Sequence, residues 1–118
     1  MMKYTEDHEW LRAEGDEIVV GITAHASEQL GDVVFIELPE VGREVSQGDD
    51  VVVIESVKAA SEITAPIAGT IVAVNYAVEA DPGSVNSDAT AAWFFRIKAA
   101  DADLSGFMDE AAYKAMIE

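Results

Sequence analysis

The chain has no cysteine, which removes disulfides, thiolate metal sites and cysteine nucleophiles from consideration. No apolar run approaches the ~18 residues needed to cross a bilayer. Charge begins at Lys3 and Glu6 without the apolar segment of a signal peptide. Basic residues are scarce: 7 Lys and Arg stand against 23 Asp and Glu, for a formal charge of −16. Nucleic acid and anionic membrane are therefore not expected partners, because affinity for both depends on basic side chains. An acidic surface favours solubility and contact with electropositive proteins, although a plain solvated face explains the same charge. Catalytic signatures are missing too. There is no Gly-x-Ser-x-Gly elbow, no Gly-x-Gly-x-x-Gly loop and no Walker loop. His8 and His25, the only histidines, fall on different expected elements without the spacing of a known metal motif, so no metal site is expected. No pair of carboxylates stands out for acid–base work. The expectation is a non-enzyme in the cytoplasm, with a mature mitochondrial form left open.

What is present suits one domain over residues 1–118, half of it hydrophobic. Trp10 to Ala13 and Ile18 to Ile22 read as strands joined through Glu14-Gly15-Asp16. Thr23 caps a short helix ending at Leu30, with Gly31 as a left-handed stop. Further strands are expected at 33–38, 51–57, 61–64, 70–75 and 93–98, separated by Pro39, Gly42, Gly48, Pro66, Gly69 and Asp81-Pro82-Gly83-Ser84. Near-continuous Val and Ile at 33–38 and 51–57 predict strands covered on both faces. Gly31 to Glu37 echoes Gly48 to Glu55, with one residue of slippage, as two similar strand entries of a pseudo-symmetric sandwich would. The tail spaces Leu104, Phe107, Met108, Ala112, Tyr113, Met116 and Ile117 at three and four residues, with Asp109 as N-cap. The predicted fold is mainly β, a flattened barrel or sandwich with a short internal helix and a C-terminal helical segment over about 101–118 that covers the sheet.

Lys58 sits at the expected hairpin tip of Val51 to Gly69. Glu55 and Glu62 flank it in sequence and favour its charged form, which argues against Schiff-base chemistry. Composition alone would leave it a solvated surface lysine.

The segment Glu55-Ser56-Val57-Lys58-Ala59-Ala60-Ser61-Glu62, followed by Ala65-Pro66-Ile67-Ala68-Gly69, resembles the lipoyl-attachment region of glycine cleavage system H-proteins. The resemblance extends through Tyr4 to Leu11, Gly21-Ile22-Thr23, Gln29 to Pro39 and Val85-Asn86-Ser87-Asp88, nearly the whole chain. Gly42 and Gly69 lie sixteen residues before and eleven after Lys58, a spacing shared with lipoyl and biotinyl domains. Biotinyl domains flank their lysine with methionines, whereas this chain has Val57 and Ala59. Lipoyl domains of 2-oxoacid dehydrogenases carry Asp-Lys-Ala and lack the His8-Glu9-Trp10 segment.

The resemblance implies a barrel-sandwich hybrid of lipoyl-domain type, with lipoate in amide linkage to Lys58 and with Glu55, Ser56, Val57 and Ala59 as the recognition segment. It implies a carrier that takes the aminomethyl group of glycine from the decarboxylase (P-protein) to the aminomethyltransferase (T-protein). Dihydrolipoamide dehydrogenase (L-protein) reoxidises the arm, and a lipoate ligase or lipoyltransferase attaches it. The absence of cysteine then also means that no internal thiol can trap the dithiol by exchange. Asp7, Glu9, Gln29 and Glu62 are implied to line a pocket for the loaded arm, Gln29 standing where some members carry histidine. Ala89-Thr90-Ala91-Ala92-Trp93 departs from the Pro-Tyr-Gly-x-Gly-Trp of many relatives; Trp93 is expected to anchor the core. A lipoate donor or store is the alternative within the family. An unmodified interaction module and a metal-dependent hydrolase are the alternatives outside it.

Overall fold

The computed structural model describes residues 2–99 and 104–117. The elements run β1 (Met2–Tyr4), β2 (Glu9–Glu14), β3 (Glu17–Ile22), α1 (Ala24–Leu30), β4 (Val33–Glu37), β5 (Glu44–Val45), β6 (Asp50–Ser56), β7 (Ala60–Thr64), β8 (Gly69–Val74), α2 (Tyr76–Ala80), α3 (Ser84–Ser87), β9 (Phe95–Lys98) and α4 (Glu110–Ile117). They form a six-stranded sheet of order β1-β2-β3-β9-β8-β5 and a three-stranded sheet of order β4-β6-β7. The architecture is a sandwich with no closed barrel, consistent with the flattened form read from sequence.

Period-2 alternation builds the two sides. On β2, Leu11 points into the main core while Trp10 points outward; on β3, Ile18, Val20 and Ile22 face inward and Val19 outward. Phe94, Phe95, Ile71 and Ile97 join the inner cluster, together with Ile36, Val52, Ile54 and Ile63 from the smaller sheet. A second cluster of Tyr4, Trp10, Val19 and Tyr113 lies on the outer side, closed by α4. Trp10 Nε1 donates to Ala89 O at 3.1 Å, and its ring packs so tightly on Gly21 that a Cβ there would come within 2.5 Å of it. Trp93 is half-buried against this outer cluster, with the Arg96 guanidinium 5.2 Å from its ring, so it is not the core anchor expected. The departing segment is nonetheless fixed: Ala89 and Ala92 are buried, and Asp88 O accepts from the amides of Ala91 and Ala92.

Other expectations shift as well. Covering on both faces belongs to β3, whose residues from Ile18 to Ile22 are all buried. On β4, Val34 and Phe35 are 57% and 44% exposed, because β4 is an edge strand with a register shift between Val33 and Phe35. On β6, burial stops after Ile54. The two echoing strands, β4 and β6, are antiparallel neighbours in one sheet. Gly31 ends α1 at φ 76° but with ψ −157°, outside the left-handed helical region and open only to glycine. The terminal helix begins at Glu110, with Asp109 Oδ1 accepting from Ala112 N. Before it, Met108 instead exchanges two backbone hydrogen bonds with Tyr4. Residues 101–103 and 118 of the expected helical segment lie outside the described residues.

Candidate functional site

Lys58 stands at the tip between β6 and β7. Ser56 N donates to Ala59 O at 2.8 Å, closing a turn around Val57 and Lys58. Neither central residue has a positive φ, so the turn is not one of the glycine-dependent hairpin types. The Ser56 hydroxyl completes it: Oγ accepts from the amides of Lys58 and Ala59, both at 3.2 Å, and donates to Ala59 O at 3.1 Å. Ser56 thus sets the turn that presents the lysine, while Glu55, Val57, Lys58 and Ala59 are exposed.

The tip is held from the side. Val57 N donates to Asp32 O at 3.0 Å, joining it to the α1–β4 connection. That connection is stapled by Asn86 of α3, whose amide donates to Gly31 O at 2.8 Å and Ser27 Oγ at 3.3 Å while its carbonyl accepts from Val33 N at 2.9 Å. The sequence placed Asn86 only inside a matching stretch; a staple spanning more than fifty residues has no local signal.

The lysine stem lies over Gly31. A Cβ there would sit 3.1 Å from Lys58 Cε and 3.6 Å from Nζ, so glycine leaves the room the stem uses. Among the described residues Lys58 makes no ion pair; basic residues pair instead at Arg12–Glu14, Arg96–Glu14, Arg96–Glu17, Lys98–Asp16 and Lys114–Glu110. Glu62 faces Asp50 rather than Lys58, and the hydrogen bond and charge of Asp50 push its carboxyl up. The flanking seen in sequence is not a contact in space.

Asp7, Glu9, Gln29 and Glu62 line one cavity of about 190 Å³, floored by Ile22, Ala26, Leu30, Ile54 and Ile63. Glu9 is the buried member, 3% exposed, with Thr5 Oγ1 donating to one carboxylate oxygen and Thr64 N to the other, both at 3.2 Å. Burial drives its pKa up to about 7 against the lowering effect of those bonds, so at neutral pH it is poised between its two forms. Glu9 and Asp7 also border a larger cavity of about 410 Å³, reaching Pro66 and Phe107.

The two histidines, apart in sequence, meet in space with ring centroids 4.8 Å apart. His8, held at φ 66°, shares a 2.8 Å hydrogen bond through Nδ1 with Tyr113 OH, and His25 Nε2 lies 3.1 Å from the Gln29 amide nitrogen. Burial first, then the His25 ring, lowers the His8 pKa. Among the described residues, no group of three His, Cys, Asp or Glu is placed to hold a metal ion.

A two-sheet sandwich that presents one lysine on a rigid hairpin tip defines the class: a lipoyl-type β domain of barrel-sandwich form. The sequence pattern of the glycine cleavage H-protein family matches residues 2–118, and the chain belongs to that family. It is 58% identical over 114 residues to the glycine cleavage system H protein of Bradyrhizobium diazoefficiens, covering 95% of this chain and 93% of that one. With that of Phenylobacterium zucineum it shares 52% over 118 residues, 98% of each chain. The crystal structure of a glycine cleavage system H protein from Mycobacterium marinum superposes with a TM-score of 0.88 at 35% identity, over 98% of this chain and 95% of that one.

Proposed function

We propose that this chain, one carrier domain over residues 1–118, bears lipoate in amide linkage on Lys58 and carries the aminomethyl group of glycine between enzymes. The decarboxylase (P-protein) loads it, the aminomethyltransferase (T-protein) unloads it and dihydrolipoamide dehydrogenase (L-protein) restores the oxidised state. The carrying observation is the exposed Lys58, without an ion pair among the described residues, on a hydrogen-bonded tip with its stem seated on Gly31, in a chain of this family. When bound, the group supplies a dithiolane that exchanges a one-carbon amine and two electrons; the polypeptide supplies position and shelter and is not itself an enzyme.

The residues fit that division. Ser56, Asp32 and Asn86 hold the tip still, so only side-chain torsions beyond the Lys58 Cα need move. Ser61 and Glu62 lead from the tip to the cavity along β7, about 3.3 Å per residue, a distance an extended lysine conjugate spans. Inside, Ile22, Leu30, Ile54 and Ile63 exclude water while Asp7, Glu9 and Glu62 surround a cationic amine with negative charge. A cation arriving there favours the ionised form of Glu9 and releases its proton near neutral pH. The bacterial relatives favour a cytoplasmic setting.

Intact mass spectrometry of protein from a lipoylation-competent host tests the assignment. Wild type gains one lipoyl increment and Lys58→Arg gains none; an unmodified wild type under those conditions rejects it.

A further inference from the structure

Six large apolar side chains are exposed among the described residues, and three of them, Val34 (57%), Phe35 (44%) and Val57 (66%), gather at Lys58. Val57 immediately precedes the lysine. Its N–H bond to Asp32 O brings the start of β4 against the tip, where Val33 pairs with Ser56 and Phe35 with Glu55. The bulge at Val34 is why two consecutive residues both reach solvent on an edge strand. Asp32, Glu37 and Glu55 are exposed around this patch, and Lys58 is its one cation among the described residues. Arg12, Arg96 and Lys98 are paired on the six-stranded sheet and Lys114 on α4, while Arg43 donates to Asp50 O.

We propose that Val34, Phe35 and Val57 are the docking site for the enzyme that acylates Lys58, whose matching surface is an apolar socket rimmed by Lys and Arg. This rests on the reading of Lys58 as an attachment point. The acceptor nitrogen lies only about 6 Å of side chain from the backbone, so an enzyme forming a bond at Nζ must press its surface onto the tip. Enzymes that act at the far end of a finished arm need no such approach. In the step served, the neutral Nζ attacks the carbonyl carbon of an activated lipoyl adenylate and a C–N bond forms. The bond from that carbon to the phosphate oxygen breaks, AMP leaves with its electron pair and one proton passes to solvent; nothing is oxidised or reduced. The acidic rim steers the basic face in, and the desolvated apolar centre holds it.

The test is steady-state acylation of the full-length chain by a purified lipoate–protein ligase with lipoate and ATP. Phe35→Thr and Val57→Thr together should raise KM for this chain about tenfold, the equivalent of ~1.4 kcal/mol, with kcat within about twofold. Tyr76→Thr, equally exposed at 66% on α2, should leave both unchanged. Raising salt from about 20 to about 300 mM should raise the wild-type KM. Val57→Thr alone, outside the strand ladder, keeps the test valid if the double variant melts early. An unchanged KM in folded variants, or a loss confined to kcat, overturns the docking site. A wild type that takes up no lipoyl group at all overturns instead the reading of Lys58 beneath it.

Discussion

Glu9 joins two properties that conflict in an ordinary carboxylate: it is buried, and both of its oxygens accept hydrogen bonds. Burial prevails and the pKa rises to about 7. A carboxyl raised on folding binds more protons in the native state than in the unfolded chain, so its stabilising effect is complete below about pH 4.5 and fades as pH climbs through 7. Glu9→Gln keeps an acceptor for Thr64 N and cannot ionise. It should therefore melt higher than wild type above pH 7, by a margin worth up to about 3 kcal/mol, and the difference should vanish below pH 4.5 in a series of thermal melts. His8 titrates in the opposite sense: its lowered pKa adds stability above 6.5 that is lost as pH falls, and this slope should emerge once Glu9 is silent. The same substitution removes negative charge from the cavity beside Asp7 and Glu62. Release of the amine cargo from loaded protein should then accelerate several-fold, and an unchanged release rate would reject the shelter assigned to that cavity.

The tip works because elements distant in sequence brace it. Asn86→Ala deletes three hydrogen bonds, to Gly31 O, Ser27 Oγ and Val33 N, and should cost about 2 kcal/mol. Denaturant melts should register that loss, and hydrogen exchange at the Val57 amide should quicken as Asp32 loosens. Gly31→Ala combines a Cβ 3.1 Å from Lys58 Cε with a glycine-only backbone, so it should both destabilise by about 1–3 kcal/mol and slow acylation of the displaced lysine. These elements also mark where sequence reasoning succeeded and where it could not. The β2–β3 hairpin, the Thr23 cap and the β6–β7 tip were legible because turn, cap and alternation signals are local. Asp7, Glu9, Gln29 and Glu62 are legible from family resemblance alone; they meet because the start of β2, α1 and β7 border one cavity, a convergence that no periodicity encodes. Val34 and Phe35 read as covered because an apolar run looks the same beneath a partner sheet as on an open edge. The helices α2 and α3 flank the Asp81–Ser84 turn and, being five and four residues long, are too short for periodicity to reveal; Asn75 caps α2, while α3 has no side-chain cap. The contact of His8 with His25 depends on a left-handed residue at position 8 that composition gives no reason to expect.

At the scale of the molecule, one tyrosine ties both ends of the chain to the helix beside the cavity. Tyr113 stacks on Tyr4 at 4.8 Å, and its hydroxyl meets His8 Nδ1 at 2.8 Å and Thr23 Oγ1 at 2.7 Å. Tyr113→Phe keeps the stack and loses both bonds, so it should lower stability by about 1–2 kcal/mol in denaturant melts. That latch acts against a field the whole protein generates. The chain carries a formal charge of −16, and its described residues span 38 × 35 × 21 Å. At ~0.01 M salt the Debye length is ~30 Å, comparable to the molecule itself, so nearly every carboxylate repels every other. At ~0.3 M it falls below ~10 Å, and only neighbours still interact. The ion pairs among the described residues, mostly surface pairs on the six-stranded sheet, contribute too little to reverse the balance. Thermal stability should therefore rise by several degrees across that salt range, while capture by an electropositive acylating enzyme weakens over the same range. A melting temperature and an acylation KM that both rise with salt would separate the cost of self-repulsion from its use in steering; a KM that stays flat while melting rises would show that the acidic surface serves solubility alone.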